Sequence, residues 1–304
     1  MAILDSMGGI CSIFIMIAMG SLISRKEILK KSDLEFISRL VVEVSIPCLV
    51  FNSMFKTLRE GYDLSDFCYI LVPVLLIPIM YIVVFFIGSK NKTKERRGLL
   101  ASSFVFSNTI FIGLPLCVSL YGEKIVPACI IYYLASTNLF WSIGVNVMRG
   151  SLFSGDFDLK SLWNNPMKGV VAGVIMGLVG LDIPSWILNP IASVGGLSTP
   201  LSLFVIGHSI EQNIKGTFKL DMEMNFSIIG KLFISPLMFF FILKLIGAPL
   251  MILKGFVLQS AMPTLAQLAV VSARYDIEPE LSNRLVFLTT IFSMISIPVW
   301  VLII

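Results

Sequence analysis

Ser107–Leu116 reads SNTIFIGLPL, and Gln259–Gln267 reads QSAMPTLAQ. Both stretches lie inside long apolar runs. In the first, the polar Ser107, Asn108 and Thr109 precede Gly113 and Pro115. In the second, Pro263 is flanked by Gln259, Ser260, Thr264 and Gln267. Proline removes a backbone donor and clashes with the preceding turn, so each run predicts a helix kinked or interrupted near its middle. Interrupted spans at corresponding positions of two halves are the best sequence pointer to a transporter binding site. The alternative is a pair of ordinary proline kinks, which are common in membrane helices.

The surrounding sequence supplies the membrane. Of 304 residues, 56% are apolar and 14% charged, against about 45–50% and 25% in soluble domains. That argues against a soluble enzyme or a nucleic-acid binder. Ten apolar segments are read at about 7–24, 36–55, 67–88, 97–121, 124–148, 166–181, 185–210, 226–247, 250–273 and 282–304. Each is close to the roughly 20 residues that span a bilayer. Backbone groups in lipid must pair within their own segment or within a closed barrel. Barrel strands alternate polar and apolar residues, and these runs do not. The expected fold is an all-α polytopic membrane protein with ten transmembrane helices, of which 4 and 9 are broken.

Other counts narrow the chemistry. The single histidine, His208, excludes a multi-histidine metal site. Cys11, Cys48, Cys68, Cys117 and Cys129 form no C-x-x-C pair and read as small buried hydrophobes. No metal or other cofactor is expected. The N-terminus, MAILDSMGGI, holds an acid and no base, so the first apolar run reads as a retained span.

Orientation follows from lysine and arginine. The odd-numbered loops carry Arg25, Lys26, Lys30 and Lys31; Lys90, Lys92, Lys94, Arg96 and Arg97; Arg149, Lys160 and Lys168; Lys215 and Lys219; Arg274 and Arg284. The even-numbered loops hold Lys56, Arg59, Lys124, Lys244 and Lys254. Odd loops are thus expected in the cytoplasm and both termini outside. A linker at 150–165 divides residues 1–149 from 166–304, five spans from five. An odd number per half makes related halves inverted. Ser45, Pro47 and Phe51 recur in spacing as Ser198, Pro200 and Phe204, and Met19-Gly20 as Met176-Gly177.

A proline near the start of each second half-helix suits the first helical position. Two such half-helices would aim free N–H groups and positive dipole ends at a shared point, a setting for an anion. No lysine or arginine lies at that depth in either span. The candidate substrate-binding residues are Asn108, Thr109, Gly113, Pro115, Gln259, Ser260, Pro263 and Thr264.

Three stretches resemble the auxin efflux carrier family, which includes plant PIN carriers and bacterial permeases. They are ISRLVVEVSIPCLVF from Ile37 to Phe51, SNTIFIGLPL, and AMPTLAQLAVVSARYDIEPE from Ala261 to Glu280. The resemblance implies a scaffold of spans 1, 2, 6 and 7, a transport domain of spans 3–5 and 8–10, elevator-type alternating access and small organic anions as substrates. Auxin is the plant case, and dicarboxylates such as malate or malonate the bacterial one. It places Asn108 and Pro115 in the first crossover helix and Pro263 in the second, and implies a homodimer through the scaffold. The chain lacks the long central hydrophilic loop of the plant members and has Glu43 where they carry an apolar residue. A compact microbial transporter of the cell membrane fits better.

Ionisable groups at membrane depth are costly and face protein or water. Glu43 and His208 are candidates for proton coupling; the alternative is a hydrogen-bonded neutral glutamate and an interfacial histidine. Lys231, a turn or two into span 8, can snorkel. Asn138 and Asn146 either line the transport path or bond neighbouring helices. The expected function is secondary transport of small organic anions across the plasma membrane, with a transporter-fold receptor lacking net transport as the alternative.

Overall fold

The computed structural model describes residues 2–26, 28, 31–61, 64–87, 92–150, 163–180, 182–213 and 221–304. Lys30, Lys90, Lys160, Lys215 and Lys219, used above for orientation, and most of the 150–165 linker lie outside these residues. The side chains of Cys11 and Lys31 lie outside them too.

Helices overlie each apolar segment. In chain order they are α1 (Ala2–Arg25), α2 (31–59), α3 (Leu71–Ile87), α4 (Lys94–Val105), α5 (Leu114–Tyr121), α6 (Glu123–Met148), α7 (Asn165–Val179), α8 (Ser185–Gly196), α9 (Ser198–Asn213), α10 (Met222–Leu245), α11 (Leu250–Ala261), α12 (Gln267–Arg274) and α13 (Pro279–Ile303). Among the described residues the only non-helical pairing is an isolated antiparallel bridge between Ser107 and Thr264. Five helical stretches are long and apolar enough to cross a membrane: Ser65–Ile87, Glu123–Met148, Ser185–His208, Met222–Leu245 and Pro279–Ile303. On α3 the exposed positions Leu71, Leu75, Ile79, Ile82 and Phe86 form one apolar stripe at helical spacing. In water such a stripe would be turned inward; in a bilayer it meets lipid. The protein is a helical, multi-pass membrane protein.

The chain forms two compact units. The first comprises Met1–Phe67, Ile110–Ile130 and Leu162–Lys215. Here α7 lies directly on α2 because Gly169, Gly173 and Gly177 repeat every fourth residue. A Cβ on them would come within 2.5 Å of the Pro47 carbonyl oxygen, 2.7 Å of that of Phe51 and 2.9 Å of the Leu58 Cβ. Without a hydrophobic force between helices in lipid, such close backbone approach is what holds them together. Ser21 on α1 donates to Glu211 on α9 at 2.9 Å.

The second unit comprises Cys68–Thr109, Ile131–Ser161 and Gly216–Ile304. Tyr81 on α3 donates to the Gly98 carbonyl on α4 at 3.1 Å. At the start of α4, Arg96 pairs with Glu223 at 2.9 Å, with Asp221 at 3.7 Å and with Glu278. It thereby joins the N-terminal ends of α4, α10 and α13. Partial burial works against its charge, but the three carboxylates outweigh that and hold the guanidinium above even its ordinary pKa.

Among the described residues four π-turns interrupt the helices, at Val41–Ser45, Thr109–Gly113, Phe140–Gly144 and Gly230–Ile234. Such turns gather at functional sites. Three of them carry a residue already singled out: Glu43, Thr109 and Lys231.

Candidate functional site

The fourth segment is unwound only over Phe106–Asn108. Helical backbone resumes as a π-turn at Thr109 and continues through Gly113, which is helical at φ −64 and ψ −53, into α5. Pro115 therefore lies inside continuous helix, not at its beginning. A π-turn skips one α-helical donor, which is what a proline lacks. The ninth segment is unwound from Met262 to Ala266. Pro263 sits in that gap, four residues ahead of α12. The expectation that a proline near the start of each second half-helix takes its first helical position is corrected on both counts.

The two gaps pair with each other. The Asn108 N–H donates to the Pro263 carbonyl at 2.8 Å, and the Leu265 N–H to the Phe106 carbonyl at 3.1 Å. Thr264 donates through its hydroxyl to the Ser103 carbonyl at 3.0 Å, while its N–H meets the Thr289 hydroxyl at 3.1 Å. Ser107 donates to the Ser260 carbonyl at 3.3 Å, and the Ser260 hydroxyl to Val257 of its own helix at 2.8 Å. Two unwound stretches thus use one another to satisfy backbone groups that lipid could not. This changes the chemistry expected of the site. The N–H groups of Asn108 and Leu265 join the gaps together and that of Thr264 ties its gap to α13, so none of the three is available to a ligand. The Thr264 hydroxyl is taken by Ser103 of α4 and the Ser260 hydroxyl by its own helix.

Other polar atoms remain. The Asn108 side chain is 7% exposed and Thr109 2%. Gln259 is fully buried, and neither its Nε2 nor its Oε1 has a hydrogen-bond partner among the described residues. A buried amide left without a partner costs about 1–3 kcal/mol, so this side chain is poised for something the chain itself does not supply. Of the eight expected residues, Asn108, Thr109, Gln259, Ser260, Pro263 and Thr264 come together in the second unit. Gly113 and Pro115 belong to the first.

Lys231 does not snorkel. It is fully buried, and its ammonium donates to the Val105 carbonyl at 3.2 Å and to the Ser107 hydroxyl. It lies nine residues past the start of α10, about 14 Å along the helix. Ser103 and Thr289 are further members of this polar cluster that the sequence did not single out. Lys231 did carry a signal, since an ionisable residue inside an apolar span is functional by default.

Glu43 and His208 belong to the first unit. Glu43 is exposed on its π-turn. His208 is half-buried on α9, and its Nδ1 has no partner. Among the described residues no hydrogen bond or ion pair links the two. Asn146 bonds the Ser142 carbonyl of its own helix at 2.8 Å. Cys117 and Cys129 are buried as expected, whereas Cys68 is exposed.

A family model described as membrane transport protein matches residues 5–158 and 151–301. The chain belongs to this auxin efflux carrier-like family. An uncharacterized transporter from Methanothermobacter thermautotrophicus is 25% identical over 314 residues, covering 99% of both chains. An uncharacterized transporter from Methanocaldococcus jannaschii is 23% identical over 287 residues, covering 90% of both. The family and these relatives are transporters, not enzymes.

Proposed function

We propose that this membrane transport protein is a secondary transporter of small organic anions, dicarboxylates such as malate or malonate among them, that works by elevator-type alternating access in the cell membrane. Its ten spans form two inverted repeats, 1–149 and 166–304, with both termini outside. Spans 1, 2, 6 and 7 act as scaffold and spans 3–5 and 8–10 as the moving part. The grouping of the chain supports this division: spans 1, 2, 6 and 7 fall in the first unit, and spans 3 and 8–10 in the second. Spans 4 and 5 are shared between the two.

The observation that carries the proposal is the pairing of two broken helices beside a buried, unpartnered Gln259 amide. Asn108 and Gln259 bind the substrate through their side-chain amides, Thr109 through its hydroxyl. A thermal-shift screen of small carboxylates on the purified protein tests this, because a ligand bound only by the folded state raises its stability. Asn108→Ala should lower the affinity for the responding carboxylate about 10-fold, the loss of one hydrogen bond to a charged group. Unchanged affinity removes Asn108 from the site.

Orientation is tested by cysteine substitution. A cysteine at either terminus should react with an impermeant reagent added outside, and protection of the N-terminal one contradicts the topology. Glu43 and His208 remain proton-coupling candidates through their exposure and unpaired nitrogen. If Glu43 carries the proton, Glu43→Gln should abolish the response of uptake to a pH gradient; a retained response assigns it a structural role.

A further inference from the structure

A cavity of about 410 Å³ lies at the turn between α10 and α11, within the second unit. The size falls in the roughly 300–1,000 Å³ range of small-molecule sites. The sequence builds it at a helix end. Gly247 takes the left-handed conformation, at φ 66. Its N–H donates to the Lys244 carbonyl at 3.2 Å, and the Ala248 N–H to the Leu243 carbonyl at 2.9 Å. This glycine cap stops α10, and Pro249 caps the start of α11 two residues later. Phe240, Leu243 and Lys244 of α10, Ala248 of the turn, Leu253 of α11 and Ile303 of α13 line the cavity. The crossing lies elsewhere. Lys231 is thirteen residues before Lys244, about 20 Å along α10, and Gln259 six residues past Leu253, about 9 Å along α11.

Two features set what the cavity can hold. Its setting is apolar and faces lipid: Leu245 and Leu250, on either side of the turn, are exposed. Lys244 falls in the last turn of Met222–Leu245, a stretch long and apolar enough to cross a membrane, so the cavity lies at the membrane boundary. The second feature is the charge of Lys244. Among the described residues no carboxylate lies within ion-pair distance of it. No aspartate or glutamate occurs in 224–275 or 281–304, the stretches that carry every wall of the cavity, whereas Lys254 adds a second basic residue beside Leu253. The Lys244 ammonium lies over the Phe240 ring, 4.6 Å from its centroid. The two residues are four apart and share a helix face, so the charge is held against the cavity's own wall. In a bilayer the apolar walls meet acyl chains in any case. What selects among lipids is the headgroup that Lys244 meets, and an unpaired basic residue at such a pocket suits an anionic one.

We propose that this cavity is a lipid site, holding an acyl chain of an anionic phospholipid whose phosphate pairs with Lys244. The site stands independently of the transporter reading given above.

The test compares headgroups. Thermal unfolding of the purified full chain in a neutral detergent is followed with added phosphatidylglycerol, with phosphatidylcholine of the same acyl chains, and with inorganic phosphate. Phosphatidylglycerol should raise the wild-type midpoint saturably, since a ligand held only by the folded state stabilises it. Phosphatidylcholine should raise it less, and phosphate not at all. Lys244→Gln should weaken half-saturation by phosphatidylglycerol about 5-fold, the effect of one basic residue at an anionic headgroup, and bring the two lipids level. Ala248→Trp, which fills the cavity from the turn, should remove the response to phosphatidylglycerol. Lys244 is exposed, so Lys244→Gln decides if Ala248→Trp does not fold. Equal responses to the two lipids in wild type overturn the proposal, as does a preference that survives Lys244→Gln or a full response in Ala248→Trp. A response to phosphate alone marks a free-anion site and overturns it too. A midpoint that rises with protein concentration and not with lipid overturns it in favour of a second copy of the chain.

Discussion

Gln259→Leu should make the protein more stable and less able to bind its substrate. The two effects have one cause. Gln259 is fully buried at the end of α11, next to the unwound gap, and both atoms of its amide lack partners within the described chain. Replacing an unsatisfied buried amide by an apolar group of similar size removes its desolvation cost, which is about 1–3 kcal/mol. The gain should appear as a higher unfolding midpoint without ligand. The same amide, if it meets a carboxylate, makes hydrogen bonds to a charged group worth about 1.5–3 kcal/mol, so affinity should fall roughly 10- to 100-fold. Thermal shift with and without malonate or malate reads both quantities on one sample. A variant that loses stability and keeps its ligand response assigns Gln259 to the fold and not to the site. Strain of this kind at a functional position, maintained by the surrounding packing, is the usual stability–activity trade.

Gly230→Ala should damage the crossing from outside it. An added Cβ would lie 1.7 Å from Cε2 and 2.2 Å from Cδ2 of Phe104. The ring has little freedom to yield, because Phe104 is 3% exposed and packs on Phe226 with 5.6 Å between centroids. Overpacking of a filled core costs about 1–3 kcal/mol. The displacement also falls on the residue before Lys231 and draws its ammonium away from Val105 and Ser107. The check is a double-mutant cycle: Phe104→Leu added to Gly230→Ala should restore more stability than the sum of the single changes allows, since residues in contact are not additive. Strict additivity would place the cause of the loss elsewhere.

Much of the fold was legible because lipid leaves few solutions. An uninterrupted apolar run must be helical there, so the positions of the helices followed from composition alone. The broken spans were legible too, because Pro263 and the Ser107–Thr109 cluster stand out from their surroundings. What the gaps do was not legible. The bridge from Ser107 to Thr264 joins residues far apart in sequence, and it reassigns to structure the N–H groups that local reasoning offered to a ligand. Pro115 misled because a π-turn can absorb a proline, and no local signal separates that from a break. Lys231 misled for a different reason. Long basic side chains usually reach the membrane surface, and only the closeness of α4 at Gly230 shows that this one turns inward. The scarcity of charged residues in spans 4 and 9 is real, but span 8 brings a lysine to them.

The most direct test of the proposed function is uptake of radiolabelled malate and malonate by proteoliposomes containing the purified chain. Saturable uptake should appear in wild type and fall with Gln259→Leu despite that variant's higher stability. Carboxylate binding without uptake in wild type would contradict transport and identify the protein as a receptor built on a transporter fold.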